Sequence, residues 1–350
     1  MAVVLVEGFD TYNGVTTSAP AIVLSAGWNV LSTASLSLVN GRFGGQAVSI
    51  NTTSSGGINR NIGASTANFT VGFALYVPTL PTLLSTDLDC FLIIKSGSTF
   101  MMGLRLINTG ALYVQRMATT VASGTALGNT SAGVITAATW NYIEFSCSIS
   151  DTVGTVELKV NGQSVLSLAN QDTRNGTPTT VDTIQLGNLS GSRGGTHYID
   201  DLYFLDTTTS IGEQRVEVLY PNSDTAQKQW IASTGSDNYA MIDETLMTST
   251  DYVYSNTVGN FDLYDFGNLS TTPSSISAVT IEVAAQKDNV GARAITSTVK
   301  SGSSTTDGSN VYLSTGFSVS SRLLNTDPNT SSAWTASAVN AIQAGAKVTI

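Results

Sequence analysis

Charge is what this 350-residue chain has least of: Asp, Glu, Lys and Arg make up 11% of it, against about 25% in an average soluble protein. Acidic residues outnumber basic ones, 25 to 15, for a net charge of −10. No basic stripe is left for phosphates, so no nucleic-acid partner is expected. An anionic membrane surface would repel the chain. Cysteine is nearly absent as well, and two residues cannot build a disulfide framework. Cys147 lies in apolar alternation and Cys90 opens the run Cys90-Phe91-Leu92-Ile93-Ile94, so both are expected as buried thiols acting as small hydrophobes. The single histidine, His197, excludes His-rich metal sites and allows at most one Ser-His-Asp arrangement. No apolar run approaches the roughly 18–20 residues that span a bilayer. Met1–Val6 has no positive residue before it and Glu7 interrupts it, so it reads as a first strand. A soluble protein without a secretory leader, made in the cytoplasm, is expected.

Alternation is what the chain has in place of charge. In Trp140–Ser148, Ile143, Phe145 and Cys147 alternate with Tyr142, Glu144, Ser146 and Ser148, the period of a strand with one buried face. Asp151–Gly154 turns the chain, Val156, Leu158 and Val160 repeat the pattern, and Asn161-Gly162 is a strong hairpin signal that leads back through Val165 to Leu168. A three-stranded meander of this kind needs an opposing sheet. Further strands are expected at Phe69–Val77, Phe91–Lys95, Met101–Ile107, Ala111–Arg116, Thr183–Leu186 and His197–Leu205. The polar stretch 207–211 then reads as a connector between domains 1–206 and 212–350. Beyond it, strands are expected at Asp251–Ser255, Phe261–Phe266, Ser277–Gln286, Ala292–Lys300 and Val311–Val319. Thr335 is placed to cap a short helix over Ala336–Ala344, with a staple between Trp334 and Val339 and Gly345 just past the end. The fold class is therefore all-β, two β-sandwich domains with one short C-terminal helix.

Several segments together resemble a known family. Glu7-Gly8-Phe9-Asp10, Gly41-Arg42-Phe43-Gly44-Gly45, Phe69-Thr70-Val71-Gly72-Phe73, Trp140 ahead of the hairpins, and Tyr198-Ile199-Asp200-Asp201-Leu202-Tyr203 occur in the order seen in concanavalin A-like, or laminin-G-like, jelly rolls. The resemblance covers residues 1–206. In the second half, Arg215–Pro221, Tyr252–Ser255 and the ending from Ala333-Trp334-Thr335 to Lys347-Val348 resemble a module appended to jelly rolls in virion proteins of tailed bacteriophages. Such proteins are assembled in the host cytoplasm and released by lysis, which suits a leaderless chain.

The candidates for chemistry are few. On a straight strand His197 and Asp201 share a face but lie too far apart to bond, while Asp200 and Asp201 face opposite ways. Retaining glycosidases of the concanavalin A-like group resemble one another in a Glu-X-Asp-X-X-Glu strand whose carboxylates lie about 5–5.5 Å apart; here Glu144 stands alone. The jelly-roll resemblance also implies a structural calcium between the first and last strands, with Glu7 or Asp10 and Asp201 as its oxygen ligands. Otherwise Asp200 and Asp201 bond backbone. No other cofactor and no catalytic residue is expected. Trp28, Trp230, Tyr239, Tyr252 and Tyr254 are candidates for stacking on sugar rings, with Tyr252 and Tyr254 on one strand face. The expected function is a non-enzymatic, surface-exposed structural component of a tailed-phage virion, in tail, fibre or head decoration. It would be a homo-oligomer in contact with other virion proteins and host surface glycans. A free lectin or adhesin, and a glycoside hydrolase, are the alternatives.

Overall fold

The computed structural model describes residues 2–12, 27–32, 36–51, 56–82, 84, 90–119, 123–188, 195–245 and 250–350. The chain divides into two compact units, one closing at Val216 and the other running Glu217–Ile350.

The first unit contains β1 (Val3–Glu7), β2 (Asn29–Ser32), β3 (Leu36–Asn40), β4 (Gln46–Asn51), β5 (Gly56–Thr66), β6 (Asn68–Tyr76), β7 (Leu92–Ser96), β8 (Thr99–Leu106), β9 (Leu112–Met117), β10 (Gly124–Asn129), β11 (Trp140–Ser148), β12 (Gly154–Val160), β13 (Gln163–Gln171), β14 (Val181–Asn188) and β15 (Thr196–Leu205). Among the described residues they form two sheets. One has the order β13-β12-β11-β6-β15-β4-β3 with β1 also paired to β15, and the other β10-β9-β8-β7-β14-β5-β2. The expected meander is β11 to β13. Its hairpin turns at Asn161 and Gly162, both in left-handed conformation with φ of 50° and 77°.

Registered apolar rows build the core. Ile143, Phe145 and Cys147 stand opposite Phe73, Val71 and Phe69 on one side and Val160, Leu158 and Val156 on the other. Directly opposed residues share a sheet face, so these rows form one apolar surface. The Phe69 ring meets Phe145 edge-on at 5.5 Å and Phe204 at 5.6 Å. From the second sheet, Leu92, Ile94, Met102, Leu104, Val114, Ile184 and Leu186 are fully buried. Cys90 and Cys147 are buried free thiols, as expected.

The other face of β11 departs from expectation. Tyr142, Glu144 and Ser146 were assigned to solvent by the alternation, yet they are buried too. The cause is the stretch 207–216, which lies over this face as a strap. Glu144 Oε1 accepts the Tyr203 hydroxyl at 2.8 Å and the Gly212 N–H at 2.9 Å. Thr70 Oγ1 donates to the Thr207 carbonyl at 2.8 Å, and Lys159 Nζ to Ser210 Oγ at 2.8 Å. Gly72 makes room underneath, since a Cβ there would run into the Tyr203 ring. The polar stretch that reads as a connector is thus bonded to the first unit, and the division falls after Val216.

The second unit contains β16 (Pro221–Lys228), β17 (Ile231–Ala232), β18 (Val253–Tyr254), β19 (Asp262–Phe266), β20 (Val279–Ala285), β21 (Ala294–Ser301), β22 (Ser304–Asp307), β23 (Val311–Tyr312), β24 (Ser318–Leu324) and β25 (Gln343–Val348). A sheet ordered β16-β19-β25-β21-β22, with β23 on β21, is joined by two ribbons, β17-β18 and β20-β24. Val299, Trp334, Val339, Ile342 and Ala344 form its core, and Val279, Ile281 and Leu324 of the β20-β24 ribbon pack on it. This is the smaller sandwich. Thr335 caps the helix as expected, accepting the Ala338 N–H at 3.1 Å. The helix covers only Ala336–Asn340, because Gln343–Val348 is drawn into the sheet between β19 and β21. Gly345 is therefore a strand residue and not a helix stop; a Cβ there would strike the Asp262 carbonyl.

Candidate functional site

Asp200 and Asp201 sit where β15 breaks its ladder with β6. The register slips between Asp200, opposite Ala74, and Tyr203, opposite Gly72. Asp201 has φ of 50°, a left-handed conformation that Asp tolerates better than most residues. Bulges of this kind re-aim side chains. Both carboxylates accordingly line one recess, together with Asp10, Phe43, Gly45, Arg215 and Val216. The expectation that they face opposite ways is corrected by this bulge.

The recess encloses about 30 Å³, room for about one water molecule. Its carboxylates are committed to the fold. Asp200 accepts the N–H of Asp201 and of Arg42, each at 2.7 Å. Asp201 Oδ1 accepts the Val216 N–H at 2.8 Å. Its Oδ2 lies 3.5 Å from Arg42 Nη1, an ion pair without hydrogen-bond geometry. Asp10 Oδ1 accepts the Gln46 N–H at 2.7 Å. Arg42 also pairs with Glu213. The Arg42 and Arg215 guanidiniums lie 4.8 and 4.9 Å from the Phe43 ring centre. Burial, reinforced by the charge of Asp201, raises the Asp200 carboxyl to about 7. Burial likewise raises Asp201 to about 6, against the pull of the Val216 N–H and Arg42.

Glu7 belongs to a different cluster. It pairs across the ladder with Leu202, next to Asp201, but its carboxylate turns toward the second sheet. There it accepts the Phe9 N–H at 3.0 Å and Trp28 Nε1–H at 2.9 Å, and it pairs with Arg60 at 3.3 Å. The implied calcium does not fit these residues. Arg60 faces Glu7 and Arg42 faces Asp201, so the positive charge a cation would bring there is already supplied by protein. Asp10, the alternative ligand, lines the recess with Asp201 and accepts the Gln46 N–H. Among the described residues no group of three or more His, Cys, Asp or Glu side chains is placed to hold a metal ion.

His197 is 2% exposed and stacks on Phe91, with ring centres 5.0 Å apart and planes inclined by 12°. Neither ring nitrogen makes a hydrogen bond of normal geometry. Burial lowers its pKa to about 4, so the ring is neutral near pH 7. It stacks on Phe91 in the core while Asp201 faces the recess, and among the described residues no triad forms. A larger cleft of about 490 Å³ is lined by residues that include Ile107, Asn108, Tyr113, Asn129 and Thr130. Among the described residues it presents amides, hydroxyls and an aromatic edge, and no carboxylate, imidazole or thiol.

The aromatic candidates separate by exposure. Trp28 is fully buried, 6.1 Å from Phe9, which removes it as a stacking platform. Trp230 is half-buried and donates from Nε1 to the Asn260 carbonyl at 3.1 Å. Tyr239 is half-buried too, its N–H held by Asp224 at 2.7 Å. Tyr252 and Tyr254 are exposed by 43% and 48%, and their ring centres lie 6.2 Å apart. Sequence reading missed the part of Arg42, Arg215 and Glu213 in the acidic recess. The glycine-flanked Arg42-Phe43 pair was the signal available.

No family model and no curated protein matches the chain. Solved structures similar to it include the endo-beta-1,4-glucuronan lyase from the fungus Trichoderma reesei, with 14% identity over 54% of this chain and 95% of that one and a TM-score of 0.40. The alginate lyase Aly36B has 15% identity, covers 60% of this chain and 98% of its own, and has a TM-score of 0.40. The cellulose-induced protein Cip1 has 12% identity, 53% and 94% coverage, and a TM-score of 0.39. At these values no residue role passes from those proteins to this chain.

Proposed function

We propose that this chain is a surface-exposed structural component of a tailed-bacteriophage virion, in tail, fibre or head decoration. It works by contact and not by catalysis, as a homo-oligomer against other virion proteins and host surface glycans. The observation that carries the contact reading is that the polar side chains weighed as candidates for chemistry are occupied by the fold. Glu144 is bonded to Tyr203 and Gly212, Asp200 and Asp201 hold backbone N–H groups, and His197 is sealed in the core. The virion reading is supported by the resemblance of the second half to a module appended to jelly rolls in tailed-phage virion proteins and by the charge-poor composition. Many weak glycan contacts on one particle would gain avidity of up to roughly 10²–10⁴-fold.

Particles banded on a density gradient from lysates of the producing cells test this reading. The chain is expected in the particle band at constant copy number through repeated banding. Its confinement to the unbanded supernatant would overturn the virion role. A free lectin or adhesin, favoured by the exposed Tyr252 and Tyr254, would then be the better account.

A further inference from the structure

We infer that the exposed face of the β17-β18 ribbon is a binding site for neutral polysaccharide. This deepens the contact reading above and does not depend on the particle. Ile231 stands directly opposite Tyr254, and Ala232 opposite Val253. Continuing the ladder, Ser233 donates its N–H to the Tyr252 carbonyl at 2.8 Å, and Ser233 Oγ accepts the Tyr252 N–H at 3.1 Å. Opposed and alternate residues share a face, so Ile231, Ser233, Tyr252 and Tyr254 form one surface. Three of the four are large and open to solvent, Ile231 by 55%. Neither tyrosine hydroxyl has a protein partner among the described residues.

Exposed apolar side chains gathered on one face mark interaction sites more often than single ones do. Here the face is also rigidly supported. Buried Asp262 accepts the Gln229 N–H at 2.5 Å and the Trp230 N–H at 2.8 Å, just ahead of Ile231, and also Asn238 Nδ2–H at 2.6 Å and the Tyr264 hydroxyl at 2.8 Å. Asn238 in turn donates to the Trp230 carbonyl at 2.9 Å. One carboxylate therefore fixes the backbone leading into β17, the strand to which the tyrosine-bearing β18 is paired.

The chemistry of the surroundings selects the occupant. Residues 229–237 and 250–260 contain no Lys or Arg, but do contain Asp237 and Asp251. The adjoining Lys228, which donates to the Ser236 carbonyl, is paired with Asp224. An anionic polymer, nucleic acid or anionic lipid therefore meets acidic neighbours and no unpaired cation in these segments. A second copy of the chain would need roughly 800 Å² per partner for a stable interface, more than a ribbon of two strand pairs and one extension offers. A neutral sugar polymer fits both parts of the face. Its C–H surfaces suit the negative faces of the tyrosine rings, and its hydroxyls suit the exposed Thr234 and Asn256 that flank the ribbon.

The test uses the full purified chain in affinity electrophoresis through mannan, dextran and β-glucan, with alginate as the anionic comparison. Retardation by at least one neutral polymer and not by alginate is expected. The Y252A/Y254A variant is expected to bind at least tenfold more weakly, Y252F/Y254F to bind as the wild type, and Y312A, at an exposed tyrosine elsewhere in the same unit, to be unchanged. Passage of the wild type through all three neutral gels, or unaltered retardation of Y252A/Y254A, would overturn the inference. Either failure leaves particle banding unaffected. A chain absent from particles yet dependent on Tyr252 and Tyr254 for glycan binding would overturn the virion role alone.

Discussion

The acidic recess of the first unit and the tyrosine face of the second differ in what their side chains have left to give. Asp200 and Asp201 in the recess, and Glu144 under the strap beside it, are almost fully buried, and each accepts a backbone N–H. On the ribbon, Tyr252 and Tyr254 are nearly half exposed, and among the described residues their hydroxyls have no protein partner. The residues most suggestive of chemistry are thus bonded within the fold, while the two tyrosines present open side chains at the surface. A buried carboxylate that accepts N–H groups is costly to free, because each donor it abandons is left unsatisfied. Spare bonding capacity at the surface, more than residue type, therefore marks where this molecule can act.

The largest effect expected from breaking this contrast is in the core beneath the recess. Phe145 is fully buried and edge-on to Phe69, so F145A should cost about 3–5 kcal/mol in chemical denaturation; a smaller loss would mean that the two sheets do not close on this row. The next effect depends on pH. The folded pKa of His197, about 4, lies below the unfolded value of about 6.5. The unfolded chain therefore binds more protons between those values, and the stability that His197 contributes is full above about pH 6.5 and falls as pH drops toward 4. Asp200 and Asp201, raised to about 7 and 6, act in the opposite sense: their contribution is full below about pH 4 and is lost as pH rises toward 7. The difference between H197F and the wild type isolates the histidine. Relative to their difference at pH 7.5, H197F should gain about 2 kcal/mol at pH 5; a difference that does not change with pH would place the ring in contact with water. The smallest effect belongs to the ribbon, where Y252A/Y254A should change stability by about 0.5 kcal/mol or less. A loss of several kcal/mol would show that the tyrosines are part of a core.

Local alternation made much of the first unit legible. Trp140–Ser148, Gly154–Val160 and the Asn161-Gly162 turn follow from a period of two and from residues that tolerate positive φ. The burial of Glu144 was not legible, since nothing in Thr207–Val216 announces that a Ser/Thr-rich stretch will bond to a strand 68 residues earlier in the chain. The convergence of Asp200 and Asp201 was hidden by the bulge, which a strict period of two cannot represent. β5 and β10 were missed because Gly56–Thr66 and Gly124–Asn129 carry little apolar alternation and are strands chiefly through their neighbours. The helix at Ala336 was correctly capped but too long, because pairing of Gln343–Val348 with two strands outweighs helix propensity in that stretch. Among the aromatic candidates, sequence order could place Tyr252 and Tyr254 on one face. It could not tell that Trp28 is enclosed beside Glu7 and Phe9.

The account turns on the strap that closes the outer face of the first sheet, and amide hydrogen exchange reads it directly. The Gly212 and Val216 N–H groups donate to Glu144 and Asp201, so both are expected to be strongly protected, in the range of the β11 amides. Exchange of these two amides at the rate of an unstructured chain would contradict the account, and would return Glu144 and Asp201 to solvent as groups free for chemistry.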